Sequence, residues 1–252
     1  MNAFYSEDFK GKVALVTGGT AGIGRHLAIS LAELGAEVFF CGRRREQGEE
    51  TASRCKGRGH YKPCDLTKAD DIREFADIAM AFSGKIDYLI NNAAIDSRVA
   101  FEEASLDKFD LFINTNLRAA FILAQALLPG LREGSGKAIV NLGTTNYMLG
   151  LSPFTLYNTA KAGLLGFTRS LARELGPEKI RVNMLSPGWT MTEKQLELYV
   201  TEQDKKDLLR EQSLPFLLTE ENITPPLLFL LSGAASGITG QNLVVDGGKL
   251  MQ

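Results

Sequence analysis

Two residues one helical turn apart, Tyr157 and Lys161, have side chains that could transfer a proton together. A phenol ordinarily has a pKa of about 10, so it exchanges protons poorly at neutral pH. At an effective dielectric constant of about 20, an ammonium about 4 Å away stabilises a phenolate by about 4 kcal/mol. That attraction could lower the tyrosine pKa by up to about three, less what burial takes back. The pair predicts a general acid and base, although ordinary helix-surface pairs have the same spacing.

A glycine-rich turn follows the apolar run 13–16 and precedes a helical pattern. Its residues Gly18, Gly22 and Gly24 would let the backbone approach a phosphate closely. The free N–H groups and the dipole of the helix that follows also favour an anion. The spacing Gly-x-x-x-Gly-x-Gly fits the usual dinucleotide fingerprint only loosely, so a plain strand-to-helix turn is the alternative.

Strand-like segments alternate with helical patterns along the chain, and these elements must position the chemistry. The predicted strands are 12–17, 37–41, 60–64, 86–91, 138–142, 181–185 and 243–245. The predicted helices include 22–34, 69–82, 109–131, 157–175 and 220–231. Because parallel strands need crossovers, we expect an α/β fold: a single doubly wound parallel sheet of about seven strands with helices on both faces. We expect one domain over residues 1–252, within which the mixed-charge segment 189–216 interrupts the alternation as a mobile substrate flap.

Composition limits the partners that the chain could have. Its 28 Lys and Arg against 30 Asp and Glu give no basic surface for nucleic acid. Residues 1–12 lack the apolar core of a signal peptide, and no apolar stretch reaches the about 18 residues of a membrane helix. Three cysteines without a C-x-x-C pair favour a reduced, cytoplasmic setting. With only His26 and His60 present, we expect neither a histidine-based triad nor a metal site.

The chain resembles the classical short-chain dehydrogenase/reductase family over nearly its whole length. The matching pieces, in the family's order and at its intervals, are the turn 17–24, Asp65, 91–94, Asn116, Tyr157 with Lys161, Asn183, 187–188 and 246–248. Each piece alone is weak, but together they are specific. The resemblance implies a Rossmann fold and hydride transfer between a nicotinamide cofactor and a secondary alcohol or ketone.

The resemblance also implies roles for individual residues. Tyr157 would exchange a proton with the substrate oxygen, Lys161 would lower the pKa of Tyr157 and hold the nicotinamide ribose, and Asn116 would anchor a water that relays protons. The family's serine precedes the tyrosine by thirteen residues, which gives Thr144, with a slip to Thr145 left open. The implied cofactor site is Gly18, Thr20, Gly22, Ile23, Gly24, Arg43, Asp65, Leu66, Asn92, Ala93, Tyr157, Lys161, Pro187, Gly188, Thr190 and Thr192. The implied substrate contacts are Thr144, Asn146, Tyr157 and Trp189.

The end of the second predicted strand bears on the choice of cofactor. An enzyme that prefers NAD(H) needs an acid there to accept from the adenosine ribose hydroxyls, but this chain has Gly42 followed by Arg43. A neutral position beside a guanidinium suits a 2′-phosphate. We therefore expect NADP(H) to be favoured, with NAD(H) possible, since the arginine run 43–45 could also be a solvated helix start and Ala21 adds no second basic residue.

The sequence says little about the identity of the substrate. Predicted pocket walls are 95–99, 145–154 and the segment after Trp189, where Asp96 and Arg98 would offer polar groups unless they point into solvent. A sugar, polyol or keto acid would use the polar residues, and a hydrophobic ketone or acyl-carrier substrate would use the apolar ones. Two alternatives to a dehydrogenase stay open: an isomerase or dehydratase that uses the nicotinamide transiently, and a non-catalytic nucleotide sensor.

The predicted helices 109–131 and 157–175 carry apolar residues on more than one face. These residues include Phe112, Phe121, Leu164 and Phe167. More apolar surface than one sheet face can cover predicts a partner, and the resemblance implies a homo-oligomer, either a dimer or a tetramer.

Overall fold

Seven parallel strands form one sheet in the computed structural model, which describes residues 7–251. The strands are β1 Val13–Thr17, β2 Glu37–Gly42, β3 Gly59–Pro63, β4 Tyr88–Asn91, β5 Ala138–Leu142, β6 Arg181–Pro187 and β7 Asn242–Val245. Their order across the sheet is β3-β2-β1-β4-β5-β6-β7, and each neighbouring pair is parallel. The predicted doubly wound Rossmann sheet is therefore confirmed. Residues 1–6 and 252 of the predicted single domain lie outside the described residues.

The helices connect the strands and cover both faces of the sheet. They are α1 Gly22–Glu33, α2 Arg45–Arg54, α3 Ala69–Ser83, α4 Leu106–Ile113, α5 Ala119–Glu133, α6 Asn146–Leu149, α7 Thr155–Leu175, α8 Glu193–Leu198, α9 Glu202–Glu211 and α10 Glu220–Leu231. Short 3₁₀ turns occur at Phe101–Glu103, Gly176–Glu178 and Gly233–Ala235. Every predicted strand and helix has a counterpart within a few residues of its predicted bounds.

Apolar layers on the two faces hold the sheet between the helices. Leu27 and Leu31 of α1 pack with Leu227 of α10 against one face. Phe75 of α3 and Leu123 of α5 lie in the layer on the other face. With both faces covered, β1 is wholly buried, and this explains its continuous apolar run.

The strand order places the site at one edge of the molecule. The order reverses direction between β1 and β4, and ligands of open α/β sheets bind in the crevice at the carboxyl ends of strands at such a switch point. The glycine turn after β1 and the residues after β4, β5 and β6 therefore meet there, although they are far apart in sequence.

One helix departs from our expectation that no segment is long and apolar enough to cross a membrane. Helix α4, a π-helical turn at Asn114–Arg118 and α5 form a continuous helix, Leu106–Glu133, which by length and composition could cross a membrane. Nearly half of its most apolar window is buried, and core helices of soluble proteins meet the same criterion. Phe112 and Leu164, which we expected to contribute to a partner-facing surface, are buried within the protomer, whereas Phe121 is 51% exposed.

The segment 189–216 is more regular than the sequence suggested. It contains α8 and α9, and each begins with a threonine side chain that accepts a hydrogen bond from the helix backbone. Thr201 and Asp204 complete a capping box at the start of α9. The mixed charges that interrupted the strand and helix pattern therefore belong to two short solvent-facing helices.

Candidate active site

A cavity of about 1080 Å³ runs along the carboxyl ends of the strands. It brings together most of the site residues that the sequence predicted. These are Gly18, Thr20, Gly22, Ile23, Gly24, Arg43, Asp65, Leu66, Asn92, Ala93, Thr144, Asn146, Tyr157, Pro187, Gly188, Trp189, Thr190 and Thr192. Lys161 and Asn116, which do not line the cavity, are buried behind its wall.

Thr144 and Tyr157 form the polar floor of the cavity. Thr144 follows β5, Tyr157 lies in the first turn of α7, and the hydroxyl of Thr144 lies close enough to Tyr157 to lower the pKa of its phenol. The backbone N–H of Asn146 donates to Thr144 Oγ1 over 3.2 Å, which orients that hydroxyl. Thr145 instead uses its backbone N–H to reach the carbonyl oxygen of Pro187. Of the two threonines that the sequence left open, Thr144 is the one that contacts the tyrosine hydroxyl.

Lys161 lies one turn further along α7 and is 1% exposed. Its ammonium donates to the carbonyl oxygen of Leu142 over 2.6 Å and lies 5.8 Å from the ring centroid of Tyr157. Burial lowers the pKa of Lys161 to about 8, and the nearby Asp96 opposes that shift. The buried ammonium is therefore close to its point of titration at physiological pH.

The pKa of Tyr157 departs from our expectation in direction. Burial raises it well above its ordinary value, the negative charge of Asp96 raises it further, and the hydrogen bond from Thr144 only partly opposes them. The spacing of Tyr157 and Lys161 in the sequence indicates their attraction but not the desolvation of the phenol. In the structure desolvation is the larger effect, so Tyr157 is a protonated hydrogen-bond donor at neutral pH.

Asn116 holds the loop that follows β4. It lies in the π-helical turn, and its amide exchanges two hydrogen bonds with the backbone of Ile95, 2.8 Å to the N–H and 3.0 Å to the carbonyl oxygen. Single-turn π-helices occur frequently at functional sites. Because its side chain is committed to Ile95, Asn116 fixes a wall of the cavity, and its role in anchoring a relay water stays a prediction.

The glycine turn has the shape of a phosphate cradle. A Cβ on Gly24 would lie 2.3 Å from the carbonyl oxygen of Gly18 and 2.4 Å from Asn92 Nδ2, so no larger residue fits. Gly18 has a φ of +69°, which favours glycine. Ala21 at the start of α1 offers no capping side chain, so the first N–H groups of the helix are free to face the cavity. These features fit the pyrophosphate of a dinucleotide.

The opposite end of the cradle meets the ends of β2 and β3. A Cβ on Gly42 would lie 2.6 Å from Thr20 Cγ2 and 2.8 Å from Thr20 Oγ1, so an acidic residue at this position would require Thr20 to move. Asp65 accepts from the backbone and the hydroxyl of Thr67, and these bonds lower its pKa. Arg43 lines the cavity, and within residues 7–251 it forms no ion pair.

The wall opposite the polar floor is formed by the predicted segments 95–99 and the one after Trp189, but the contacts between them were not evident from the sequence. Asp96 forms an ion pair with Lys194 of α8 and accepts from Gln195 Nε2 over 2.9 Å. Gln195 Oε1 in turn accepts from the indole N–H of Trp189 over 2.8 Å. These contacts close the loop after β4 against the segment 189–199. Arg98 also faces this segment and lies near the rings of three aromatic residues, Phe154, Trp189 and Tyr199.

Comparisons with known proteins agree with this geometry. The family described as Enoyl-(Acyl carrier protein) reductase matches residues 18–249. A D-xylose 1-dehydrogenase of Caulobacter vibrioides is 37% identical over 98% of this chain and 99% of its own length. A probable galactose dehydrogenase of Rhizobium meliloti is 36% identical over 96% of each chain.

Solved structures give the same result. A Brucella melitensis structure described as a short-chain dehydrogenase/reductase, glucose/ribitol dehydrogenase, has a TM-score of 0.91 at 30% identity and covers 97% of this chain and 99% of its own. A blue fluorescent protein from a metagenomic library, solved in complex with NADPH, has a TM-score of 0.88 at 30% identity over 97% and 100%. The chain therefore belongs to the short-chain dehydrogenase/reductase family, whose members are oxidoreductases that use a nicotinamide cofactor.

Proposed function

We propose that this protein transfers a hydride between NADP(H) and a secondary alcohol or ketone carbon of a sugar or polyol, with Tyr157 as the general acid and base. The observation that carries the proposal is the placement of Thr144 and Tyr157, both buried, at the floor of a cavity that continues into the glycine cradle. A cofactor in the cradle and a substrate on the floor would share this one cavity.

The residues of the floor have complementary tasks in carbonyl reduction. When bound, the nicotinamide ring supplies or accepts the hydride. Tyr157 holds its proton at Oη and gives it to the carbonyl oxygen, while the hydroxyl of Thr144 donates a second hydrogen bond to the same oxygen. Lys161 lies behind Tyr157 with its ammonium on the carbonyl of Leu142, where it can favour the phenolate left after transfer. In the oxidation direction Tyr157 accepts the proton instead.

The end of β2 supports the preference for NADP(H). No carboxylate is available at Gly42 to accept from ribose hydroxyls, the hydroxyl of Thr20 fills that space, and Arg43 is free to bind a 2′-phosphate. A charge-assisted bond of this kind favours NADPH over NADH by about 1.5–3 kcal/mol, or about 10- to 150-fold.

Competition between the two cofactors tests this preference as a ratio of kcat/KM values. Arg43→Ala should weaken the use of NADPH and leave NADH nearly unchanged. Because a side chain at position 42 would collide with Thr20, Gly42→Asp should invert the preference fully only when it is combined with Thr20→Ala. A wild-type preference for NADH would mean that the arginines are only a solvated helix start.

Two observations favour a hydroxylated substrate. Polar groups of Asp96, Arg98 and Asn146 line the cavity beside the catalytic floor. Three of the four similar proteins named above are described as dehydrogenases of xylose, galactose, or glucose/ribitol. A sugar or polyol uses both the polar wall and the tyrosine.

Screening sugars, polyols and hydrophobic ketones with NADP(H), following nicotinamide absorbance, tests the proposed activity. Net oxidation or reduction of the cofactor with sugars or polyols supports it. Conversion of substrate without net cofactor turnover would instead indicate an isomerase or dehydratase. Cofactor binding without any conversion would indicate a nucleotide sensor.

We also infer a cytoplasmic homo-oligomer. Phe121 on α5 is half exposed and contacts Phe167 of α7 with ring centroids 6.3 Å apart, which leaves an aromatic surface available to a second copy. Cys41, Cys55 and Cys64 are buried and free, as is usual in a reducing compartment. Light scattering that shows only a 27.5 kDa monomer at micromolar concentration would contradict the oligomer.

A further inference from the structure

Arg98 is a charged residue of the cavity that hydride transfer does not require. It lies between β4 and α4, with its guanidinium carbon 5.1 Å from the ring centroid of Tyr199, 5.8 Å from that of Phe154 and 6.0 Å from that of Trp189. A guanidinium within about 6 Å of an aromatic ring is attracted to the ring face. The three rings therefore hold the cation at the wall of the cavity while the edges of the guanidinium keep their N–H donors.

The backbone on each side of Arg98 is fixed. The N–H of Ile95 donates to Asn116 Oδ1 over 2.8 Å, and the N–H of Val99 donates to the carbonyl oxygen of Pro153 over 3.2 Å. The backbone that carries Arg98 is therefore held in place by the fold before a ligand arrives. Preorganisation of this kind reduces the entropy lost on binding.

The acids near Arg98 are already engaged. Asp96 is bound by Lys194 and Gln195. Asp204, whose pKa is lowered mainly by Thr201 and further by the charge of Arg98, accepts from the backbone N–H and the hydroxyl of Thr201. Within residues 7–251, Arg98 forms neither an ion pair nor a hydrogen bond. Arg98 is exposed and lines the cavity, so its five donors are available to a ligand.

We propose that Arg98 determines substrate specificity by binding a carboxylate at the end of the substrate remote from the reacting carbon. The planar fork of a guanidinium matches a carboxylate with two parallel hydrogen bonds. The inference rests on the proposed function and narrows its substrate class to sugar acids and related hydroxy acids.

The distances suit a substrate of that size. The guanidinium carbon of Arg98 lies 5.8 Å from the ring centroid of Phe154, which in turn lies 6.3 Å from the ring centroid of Tyr157. Phe154 is therefore near both the cation and the residue that would exchange the proton. A sugar acid with its oxidisable carbon at Tyr157 can extend along Phe154 and place its carboxylate at Arg98.

Matched pairs of substrates test the proposal. D-galactose and D-galacturonate, and likewise D-glucose and D-glucuronate, differ only at the carbon that carries the carboxylate. In the wild type we expect kcat/KM for the acid to exceed that of its neutral partner by about tenfold or more. An equal or higher value for the neutral sugars would overturn the proposal.

Variants of Arg98 separate charge recognition from simple support of the wall. Arg98→Met keeps an apolar stem against the rings but removes the charge, and should reduce kcat/KM for the acid by about tenfold or more through KM, and that of the neutral sugar by a clearly smaller factor. Arg98→Lys keeps the charge without the fork and should be intermediate. Equal losses for both members of a pair would show that Arg98 only supports the wall, and would sink the proposal.

A binding measurement keeps the test independent of turnover. Calorimetry of D-galacturonate and D-glucuronate with the enzyme saturated by NADP⁺ should give Kd values about tenfold higher or more for Arg98→Met than for wild type. Arg73→Met, which removes an exposed arginine of α3, is the matched control and should bind as wild type does. Binding of both acids that depends on Arg98, without oxidation, would refute the proposed activity alone. Absent or unchanged binding of both acids would refute the carboxylate site.

Discussion

Two walls of the cavity are built in different ways. The first, here called the catalytic wall, is the floor of Thr144 and Tyr157 with Lys161 behind it, and the second, here called the substrate wall, is the loop after β4 with α8. On the catalytic wall, Tyr157 and Lys161 are buried in one helix, and the ammonium of Lys161 is bound to the backbone of the neighbouring strand at Leu142. On the substrate wall, the loop after β4 meets α8 through side chains that are partly exposed, mainly Asp96 with Lys194 and Gln195. One wall is held by the core, and the other is held by surface contacts.

The two walls therefore differ in how rigidly they hold their side chains, and this suits their different roles. Proton and hydride transfer need the reacting groups fixed to a fraction of an ångström, and only buried, backbone-linked groups offer that. Exposed ion pairs contribute about 0–1 kcal/mol each, so the substrate wall can open and rearrange at little cost. We therefore expect changes on the catalytic wall to act mainly on kcat and changes on the substrate wall to act mainly on KM.

The largest effect should follow Tyr157→Phe. The ring keeps its packing beside Phe112 and Phe154, but the proton donor and the hydrogen bond to Thr144 are lost. Loss of a general acid and base lowers kcat by about 10²- to 10⁴-fold. Steady-state rates would give kcat, and a fluorescence titration should show cofactor affinity nearly unchanged. A variant that kept more than about a tenth of wild-type kcat would refute the proton-transfer role.

Thr144→Ala should have the next largest effect, about 10²-fold in kcat, because one donor to the substrate oxygen is removed. Thr144→Ser keeps the hydroxyl and should be tolerated. Thr145→Ala is the matched control, since Thr145 contacts Pro187 through its backbone. If Thr145→Ala proved the damaging change, the catalytic hydroxyl would have been assigned to the wrong threonine.

The sequence predicted the catalytic wall better than the substrate wall, for physical reasons. The spacing of Tyr157 and Lys161 on one helix, and of the glycines after β1, depends on local geometry that a sequence displays directly. Asp96 and its partners Lys194 and Gln195 are 98 and 99 positions apart, so no local spacing indicates the contact. The tertiary fold alone brings them together.

Two other features depend on burial that a linear pattern cannot measure. The direction predicted for the Tyr157 pKa shift was wrong because desolvation of the buried phenol, together with the charge of Asp96, raises the pKa. The role of the Asn116 side chain was incomplete because the π-helical turn that points it at Ile95 has no clear sequence signal. The fold class and the strand bounds were predictable, since alternation of apolar segments reports them directly.

The burial of Lys161 makes stability depend on pH. Its pKa is about 8 in the folded protein and 10.5 ordinarily, so between these values the unfolded chain binds more protons. The contribution of Lys161 to the free energy of unfolding should therefore rise with pH between about 8 and 10.5, by about 3 kcal/mol in total. Urea unfolding of wild type and Lys161→Met at several pH values measures the difference. Lys85→Met, at an exposed position, should follow wild type, and a Lys161→Met curve parallel to wild type would show that the lysine is solvated.

The smallest effect should come from the substrate wall. Asp96→Asn removes the ion pair with Lys194 while an amide can still accept from Gln195, so the loss is that of one partly exposed pair, about 1 kcal/mol or about fivefold. We expect KM for the substrate to rise by that factor, kcat to change little, and proteolysis within 189–216 to become faster. Lys194→Met removes the same ion pair by changing the other residue, and its effects on KM and on proteolysis should match those of Asp96→Asn. If either variant lowered kcat as far as Thr144→Ala does, the two walls would act as one rigid unit, and the proposed division between them would be wrong.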